Sequence, residues 1–191
     1  MRTFVEQANG FFLWSLTLVL NAFFDRFTGG SRRPVLFAAS EANPALALFD
    51  RHHERIRAEL DAILAERDSF PRYHDLDPLQ YEISAVENPG KRWQAYLPNC
   101  IGLRVESHCQ AFFSILEGGK SIPAHSGIYR GYLRYHLALK VPKERPPRIR
   151  IKDHFHEWRE GESVVFDDSW EHQVYNEADD LRVVLIVDVL R

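Results

Sequence analysis

Tyr132-Leu133-Arg134-Tyr135-His136-Leu137-Ala138-Leu139 is the stretch whose reading decides the fold. Successive side chains of a strand point to opposite faces. One face therefore carries Tyr132, Arg134, His136 and Ala138, and the other Leu133, Tyr135, Leu137 and Leu139. An arginine and a histidine two positions apart on the inner face of a small barrel would form an anion site in a low-dielectric cavity. A guanidinium suits planar, bidentate recognition of a carboxylate. The plainer alternative is that Arg134 pairs with an internal carboxylate such as Asp168.

Working outward, the same short, apolar or alternating character recurs at Ala111 to Leu116, Arg148 to Lys152, Ser163 to Phe166 and Leu181 to Leu190. Turn-forming stretches separate them: Glu117-Gly118-Gly119, Pro142 to Pro147, Glu160-Gly161 and Glu177 to Asp180. Upstream, Asn43-Pro44 supplies a capping side chain followed by proline at the first helical position. Phe49, Ile56, Leu60, Ile63 and Leu64 then recur at helical spacing, which predicts one amphipathic helix from about Pro44 to Ala65, ended by Asp68-Ser69-Phe70-Pro71. Strand character is expected from Gln80 onward. A mainly β fold with supporting N-terminal helices follows, a sandwich or barrel of the jelly-roll kind. No internal repeat or low-complexity tract interrupts it.

Bulk properties narrow the function. A chain of 191 residues is expected to form one domain with a sizeable core. Its net charge of −3 and the lack of a basic stripe interleaved with aromatics argue against a nucleic-acid partner. Cys100 and Cys109 are too few for a disulfide framework and form no Cys-x-x-Cys pair, so a reducing, cytoplasmic setting is expected. Phe11 to Phe24 is almost wholly apolar but shorter than the roughly 18 to 20 residues of a membrane span, and it lacks a signal-cleavage site. It reads as a buried core helix, as an interfacial helix lying on a membrane, or, less readily, as a marginal span. Residues 1–34 are thus expected to be an apolar helix and loop, and residues 35–191 the main domain.

Two further histidines complete the chemistry. His125 sits beside a Pro-Ala and Ser-Gly turn, at the expected mouth of a barrel, and His172 ends the acidic segment Asp167-Asp168-Ser169-Trp170-Glu171. Neutral imidazoles suit Fe(II), Cu and Zn, and a carboxylate commonly holds the other ring nitrogen, a part that Asp167 or Asp168 could take. His154-x-His156 also has the spacing of a metal pair on one strand face, but its charged surroundings read as an exposed strand end. His52-His53 reads as the polar side of the helix. Two residues after His125, where an iron site usually places a carboxylate, stands Gly127.

Taken together, Phe112 to Leu116, Ile122 to Gly127, Gly131 to Leu137, Trp158 to Glu162, Phe166 to His172 and Arg182 to Val189 strongly resemble the aspartyl/asparaginyl β-hydroxylase family, in order and nearly in spacing. That resemblance implies a double-stranded β-helix and an Fe(II)- and 2-oxoglutarate-dependent dioxygenase that uses O2, decarboxylates 2-oxoglutarate to succinate and hydroxylates its substrate. It implies His125 and His172 as iron ligands, Arg182 and Ser114 at the distal carboxylate of 2-oxoglutarate, His136 near the proximal carboxylate, and Arg134 facing co-substrate or substrate. It makes Gly127 a family trait, since the family lacks the carboxylate ligand. Iron halogenases share that glycine, with a halide in the vacant position. The substrate classes implied are peptidyl aspartate or asparagine, a free amino-acid derivative, or a lipid acyl chain, the last suited to membrane-surface contact through Phe11 to Phe24. One departure stands out. Family members place about a helix's worth of residues between the strands resembling Ile101 to Glu106 and Phe112, a segment that walls the pocket and that this chain lacks at Cys109-Gln110. Loss of that wall is the motive for the other reading, a non-catalytic jelly roll that binds 2-oxoglutarate without turnover.

Overall fold

The structure, a computed structural model, describes residues 4–71, 93–96 and 111–191, with side chains described for 15–71 and 111–191. The strands expected between Gln80 and Glu106, the two cysteines and the short join at Cys109-Gln110 lie outside the described residues, apart from the backbone of 93–96. A helix, α1 (Phe4–Thr28), opens the chain and is followed by β1 (Leu36–Phe37), α2 (Ala39–Ala42), α3 (Ala47–Arg51) and α4 (His53–Leu64). The strands then run β2 (Trp93–Tyr96), β3 (Ala111–Leu116), β4 (Ser121–His125), β5 (Tyr132–Lys140), β6 (Arg148–Ile151), β7 (His154–Glu157), β8 (Ser163–Phe166), β9 (His172–Tyr175) and β10 (Arg182–Leu190).

The helix predicted from Pro44 to Ala65 is not continuous. Asn43 caps its start as expected, its side chain accepting from the Ala45 amide at 2.9 Å. A 3-10 turn over Pro44–Leu46 leads into α3, and the chain breaks at His52, whose φ of −104° and ψ of 17° leave the helical region between α3 and α4. The break is invisible to hydrophobic spacing because Phe49, Ile56 and Leu60 still fall on one buried side.

Antiparallel ladders build two sheets, ordered β1-β8-β5-β10-β3-β2 and β4-β9-β6-β7. From β3 to β10 the chain passes back and forth between them, β6 and β7 staying together in the smaller sheet. Such a winding is the double-stranded β-helix. β5 and β10 lie at the centre of the larger sheet, paired from Val183↔Lys140 to Leu190↔Tyr132 with a bulge at Val183/Val184.

The alternation of β5 now has its physical meaning. Leu133, Tyr135, Leu137 and Leu139 pack with Leu46, Phe49, Ile56 and Leu60 in a core between the larger sheet and the helices. Burying each of those four helical-side residues contributes about 1.5–3 kcal/mol. The Tyr135 hydroxyl donates to Asp50 of α3 at 2.8 Å, and burial together with that carboxylate pushes its pKa up. Arg57 of α4 donates to the Leu139 carbonyl, fixing the helix to the end of β5. The opposite face, with His136 and Ala138, looks across to the smaller sheet. There Phe112, Ile122, Ile149, Ile151, Trp158, Phe166, Val174, Val184 and Ile186 form a second core. The site is the polar end of that inner layer.

Candidate active site

His125 ends β4 and His172 begins β9, and the two are register partners across the ladder. Their ring centroids are 4.2 Å apart. His125 Nδ1 lies 2.8 Å from the Pro123 carbonyl, and His172 Nδ1 lies 2.9 Å from the Trp170 carbonyl. A carbonyl only accepts, so each Nδ1 carries the proton and each Nε2 keeps its lone pair. Burial pushes the His172 pKa down to about 3, reinforced by His125. Burial likewise lowers that of His125, opposed by the Pro123 bond and aided by Arg134. Both rings are neutral, oriented bases, the state a transition-metal ion requires. Among the described residues no group of three or more His, Cys, Asp or Glu side chains is placed to share a metal.

The carboxylate support expected for these histidines comes from main-chain carbonyls instead. Asp167 points away, bonding Arg33 at 2.6 Å, Arg191 at 2.5 Å and the Ser169 hydroxyl at 2.6 Å. Asp168 faces the site from another side. A Cβ built on Gly127 would lie 2.7 Å from the Cγ and both carboxylate oxygens of Asp168, and the Gly127 amide donates to the Asp168 carbonyl at 2.8 Å. Glycine is required here by close approach: the Asp168 carboxylate fills the space that a side chain at 127 would need. Burial raises the Asp168 pKa to about 6, with Arg134 pulling the other way.

Arg134 is committed within the protein. Its Nε and Nη2 reach the two carboxylate oxygens of Asp188 at 2.7 and 3.0 Å, and Nη1 reaches Asp168 at 3.0 Å. Asp188 is its register partner on β10. The internal-pair alternative thus describes its contacts, with Asp188 as the main partner. Arg134 still borders the cavity, but its forks are already occupied.

Arg182 is the opposite case. It opens β10 opposite Leu116 and is 1% exposed, with Nε and Nη1 finding no partner among the described residues. Its guanidinium lies 4.9 Å from the Trp158 ring centre, and burial alone pushes its pKa down to about 9. A buried cation with idle donors is a site for an anion. His136, 4% exposed, likewise has neither ring nitrogen bonded among the described residues. Burial, then Arg182 and Arg134, hold it neutral, well below the usual histidine range. Ser114, His125, Arg134, His136, His172 and Arg182 line one cavity, floored by Ile122, Ile149, Phe166, Val174 and Ile186. All six polar residues singled out by sequence for metal, co-substrate or substrate are therefore gathered there.

Trp158 was missed. It is fully buried, stacks on His136 with centroids 5.8 Å apart and lies beneath Arg182. It follows β7 outside any alternating run, and its only sequence signal is membership of the Trp158-Arg159-Glu160-Gly161 motif. The reading of His154-x-His156 as wholly solvated needs correction as well. His154 is exposed, whereas His156 is half-buried against Trp158, with centroids 6.2 Å apart, and burial lowers its pKa.

Comparison with known proteins places these features in context. An ornithine lipid ester-linked acyl 2-hydroxylase from Rhizobium tropici is 32% identical over 166 residues, covering 78% of this chain and 58% of that protein. The human aspartyl/asparaginyl beta-hydroxylase is 40% identical over 80 residues, 42% of this chain and 10% of that protein. This chain thus spans little more than half of the first relative and a small part of the second. Among solved structures, an RmlC-like cupin family protein with a double-stranded beta-helix fold from Methanocaldococcus jannaschii is similar at 19% identity, over 44% of this chain and 72% of that one, with a TM-score of 0.36. The family model for aspartyl/asparaginyl beta-hydroxylase matches residues 50–191, which include every residue of the site, and the chain belongs to that family.

Proposed function

We propose that this chain is an Fe(II)- and 2-oxoglutarate-dependent hydroxylase acting on a lipid acyl chain. The observation that carries the reading is one cavity with two Nε2-presenting histidines and a buried arginine whose donors are idle. His125 and His172 would hold the metal. A ferrous ion held there supplies, with O2 and 2-oxoglutarate, the oxidation that turns C–H into C–OH as the co-substrate becomes succinate and CO2.

The chain's own residues do the rest. Arg182, with Ser114 beside it in the cavity, is suited to the distal carboxylate, and neutral His136 can donate to a second carboxylate without adding charge. The apolar floor excludes water and strengthens both interactions. Arg134, held by Asp188 and Asp168, is a fixed positive wall rather than a mobile clamp. Halogenation is disfavoured by geometry, since the Asp168 carboxylate occupies the space beside Gly127. A lipid acyl substrate is favoured because the match to the acyl hydroxylase covers 78% of this chain against 42% for the aspartyl/asparaginyl enzyme.

Iron-loaded protein given 2-oxoglutarate and O2 should release succinate, and His125→Ala and His172→Ala should abolish it. Mass spectrometry of an ester-linked acyl lipid offered alongside an Asp/Asn-containing peptide should find one added oxygen on the lipid. Oxygen added to the peptide alone would overturn the substrate class, and loaded protein that releases no succinate would overturn the mechanism.

A further inference from the structure

Helix α1 is inside-out. Of its described side chains, those turned toward the barrel are mostly polar. Asn21 donates to the Ile128 carbonyl at 2.8 Å and accepts from the Arg130 amide at 2.9 Å. Asp25 pairs with Arg130 and, at 3.6 Å, with Arg33. Phe24 alone adds a ring contact, edge-on to Tyr129 with centroids 5.6 Å apart. The outward face is apolar: Leu16, Leu18, Val19, Phe23 and Phe27 are 44%, 47%, 67%, 57% and 71% exposed. Leu16, Val19, Phe23 and Phe27 follow helical spacing, so they form one continuous stripe rather than scattered surface apolar residues. A water-facing helix has the reverse arrangement.

We infer that this stripe is a bilayer-docking surface that lays α1 in the plane of an anionic membrane, beside the site mouth. Three observations select a bilayer over a second copy of the chain. First, Arg26 is exposed amid the stripe and Arg32 is exposed in the turn after it, and no described residue of that face is acidic. A self-complementary contact would bury Arg26 and its mate in apolar surroundings without a counter-charge. A guanidinium at headgroup level reaches phosphate while its stem stays in the apolar layer. Second, among the described residues no helix is long and apolar enough to cross a membrane, so the contact proposed is in-plane rather than a span. Third, α1 grips the loop that leaves His125: Ile128, bonded through its carbonyl to Asn21, is 67% exposed and three residues from that histidine. Docking therefore sets the rim of the cavity against the lipid. The inference deepens the acyl-lipid reading and rests on it for its purpose, but its test does not require turnover.

Full-length protein, without iron or co-substrate, would be sedimented with phosphatidylcholine vesicles and with vesicles also containing phosphatidylglycerol. Binding is expected to both and to be tighter to the anionic vesicles, with Arg26→Glu abolishing that preference. Phe23→Asp together with Phe27→Asp should weaken binding by roughly a hundredfold, about tenfold for each ring withdrawn from the bilayer. Those positions are solvent-facing, so melting temperature should not move. Absence of vesicle binding, or binding indifferent to the double variant, overturns the proposal. So does a dimer, seen by light scattering, that the double variant dissociates while wild type ignores vesicles. Succinate release, measured separately on the same protein after iron, 2-oxoglutarate and O2 are supplied, fails only if the hydroxylase reading fails.

Discussion

Replacing Arg182 with methionine should separate stability from function in opposite directions. The guanidinium is 1% exposed, two of its nitrogens are idle, and burial pushes its pKa from 12.5 to about 9. For a base with a depressed folded pKa, the folded state refuses a proton that the unfolded state keeps. The group therefore destabilises the protein below about pH 9, and the penalty fades as pH rises from about 9 toward 12.5. A difference of that size corresponds to something on the order of 5 kcal/mol at neutral pH. Methionine removes the charge, keeps much of the volume and loses the contact with Trp158, worth about 1–2 kcal/mol. A net gain of roughly 3–4 kcal/mol, or about 6–16 °C, is expected in the melting temperature of protein without co-substrate. Binding should move the other way. Two charge-assisted hydrogen bonds of about 1.5–3 kcal/mol each disappear, so 2-oxoglutarate should bind at least a hundredfold more weakly. Differential scanning calorimetry with and without 2-oxoglutarate reads both quantities. A variant that melts lower than wild type, or that binds 2-oxoglutarate normally, would refute the assignment of Arg182 as the buried anion receptor.

Other consequences follow from the same geometry. Gly127→Asp should lower stability by about 1–3 kcal/mol through collision with Asp168, and adding Asp168→Gly should recover most of that loss in a thermal melt. His172 has its pKa lowered to about 3, so its neutral folded form contributes stability above the unfolded value near 6.5 that is lost as pH falls below it. Between pH 6.5 and 5 wild type should lose stability more steeply than His172→Gln, as read by urea midpoints. Asp188→Asn should leave Arg134 short of its main partner and cost about 3–5 kcal/mol at neutral pH, measured by denaturant unfolding. Leu185→Ala, in the centre of β10 and 1% exposed, should cost about 2–5 kcal/mol with little effect on 2-oxoglutarate affinity in stability-matched conditions.

Why some of this was legible in sequence and some was not comes down to range. The alternation of β5 is a two-residue rule, and it sorted Arg134 and His136 to the inner face because every neighbour obeys the same rule. The turns at Gly118-Gly119 and Glu160-Gly161 were equally local. The partner of Arg134 was not, since Asp188 is distant in sequence and becomes its neighbour only through the β5–β10 register. The break at His52 leaves hydrophobic spacing intact, so periodicity runs across it. Trp158 is placed by the Pro147 carbonyl, which accepts from its amide, and by packing against His136 and Arg182, which are distant in sequence. The composition of Phe11 to Phe24 announced an apolar helix, but not that Asn21 and Asp25 would turn inward. That depends on the Arg130 and Ile128 groups waiting on the barrel.

The buried pair of Arg33 and Asp167 bears on where this protein can be cut. Arg33 is 5% exposed, bonds Asp167 and Ser169, and lies with its guanidinium 3.7 Å from the Trp170 ring centre. Asp167 begins the turn whose Trp170 carbonyl orients His172. Trimming the chain after residue 34 to remove an awkward apolar helix would therefore withdraw a cation from a fully buried carboxylate, five residues from a proposed metal ligand. A shortened protein that failed to hold iron would report the loss of Arg33, not a need for the membrane. Point changes on the outer stripe keep the two effects apart.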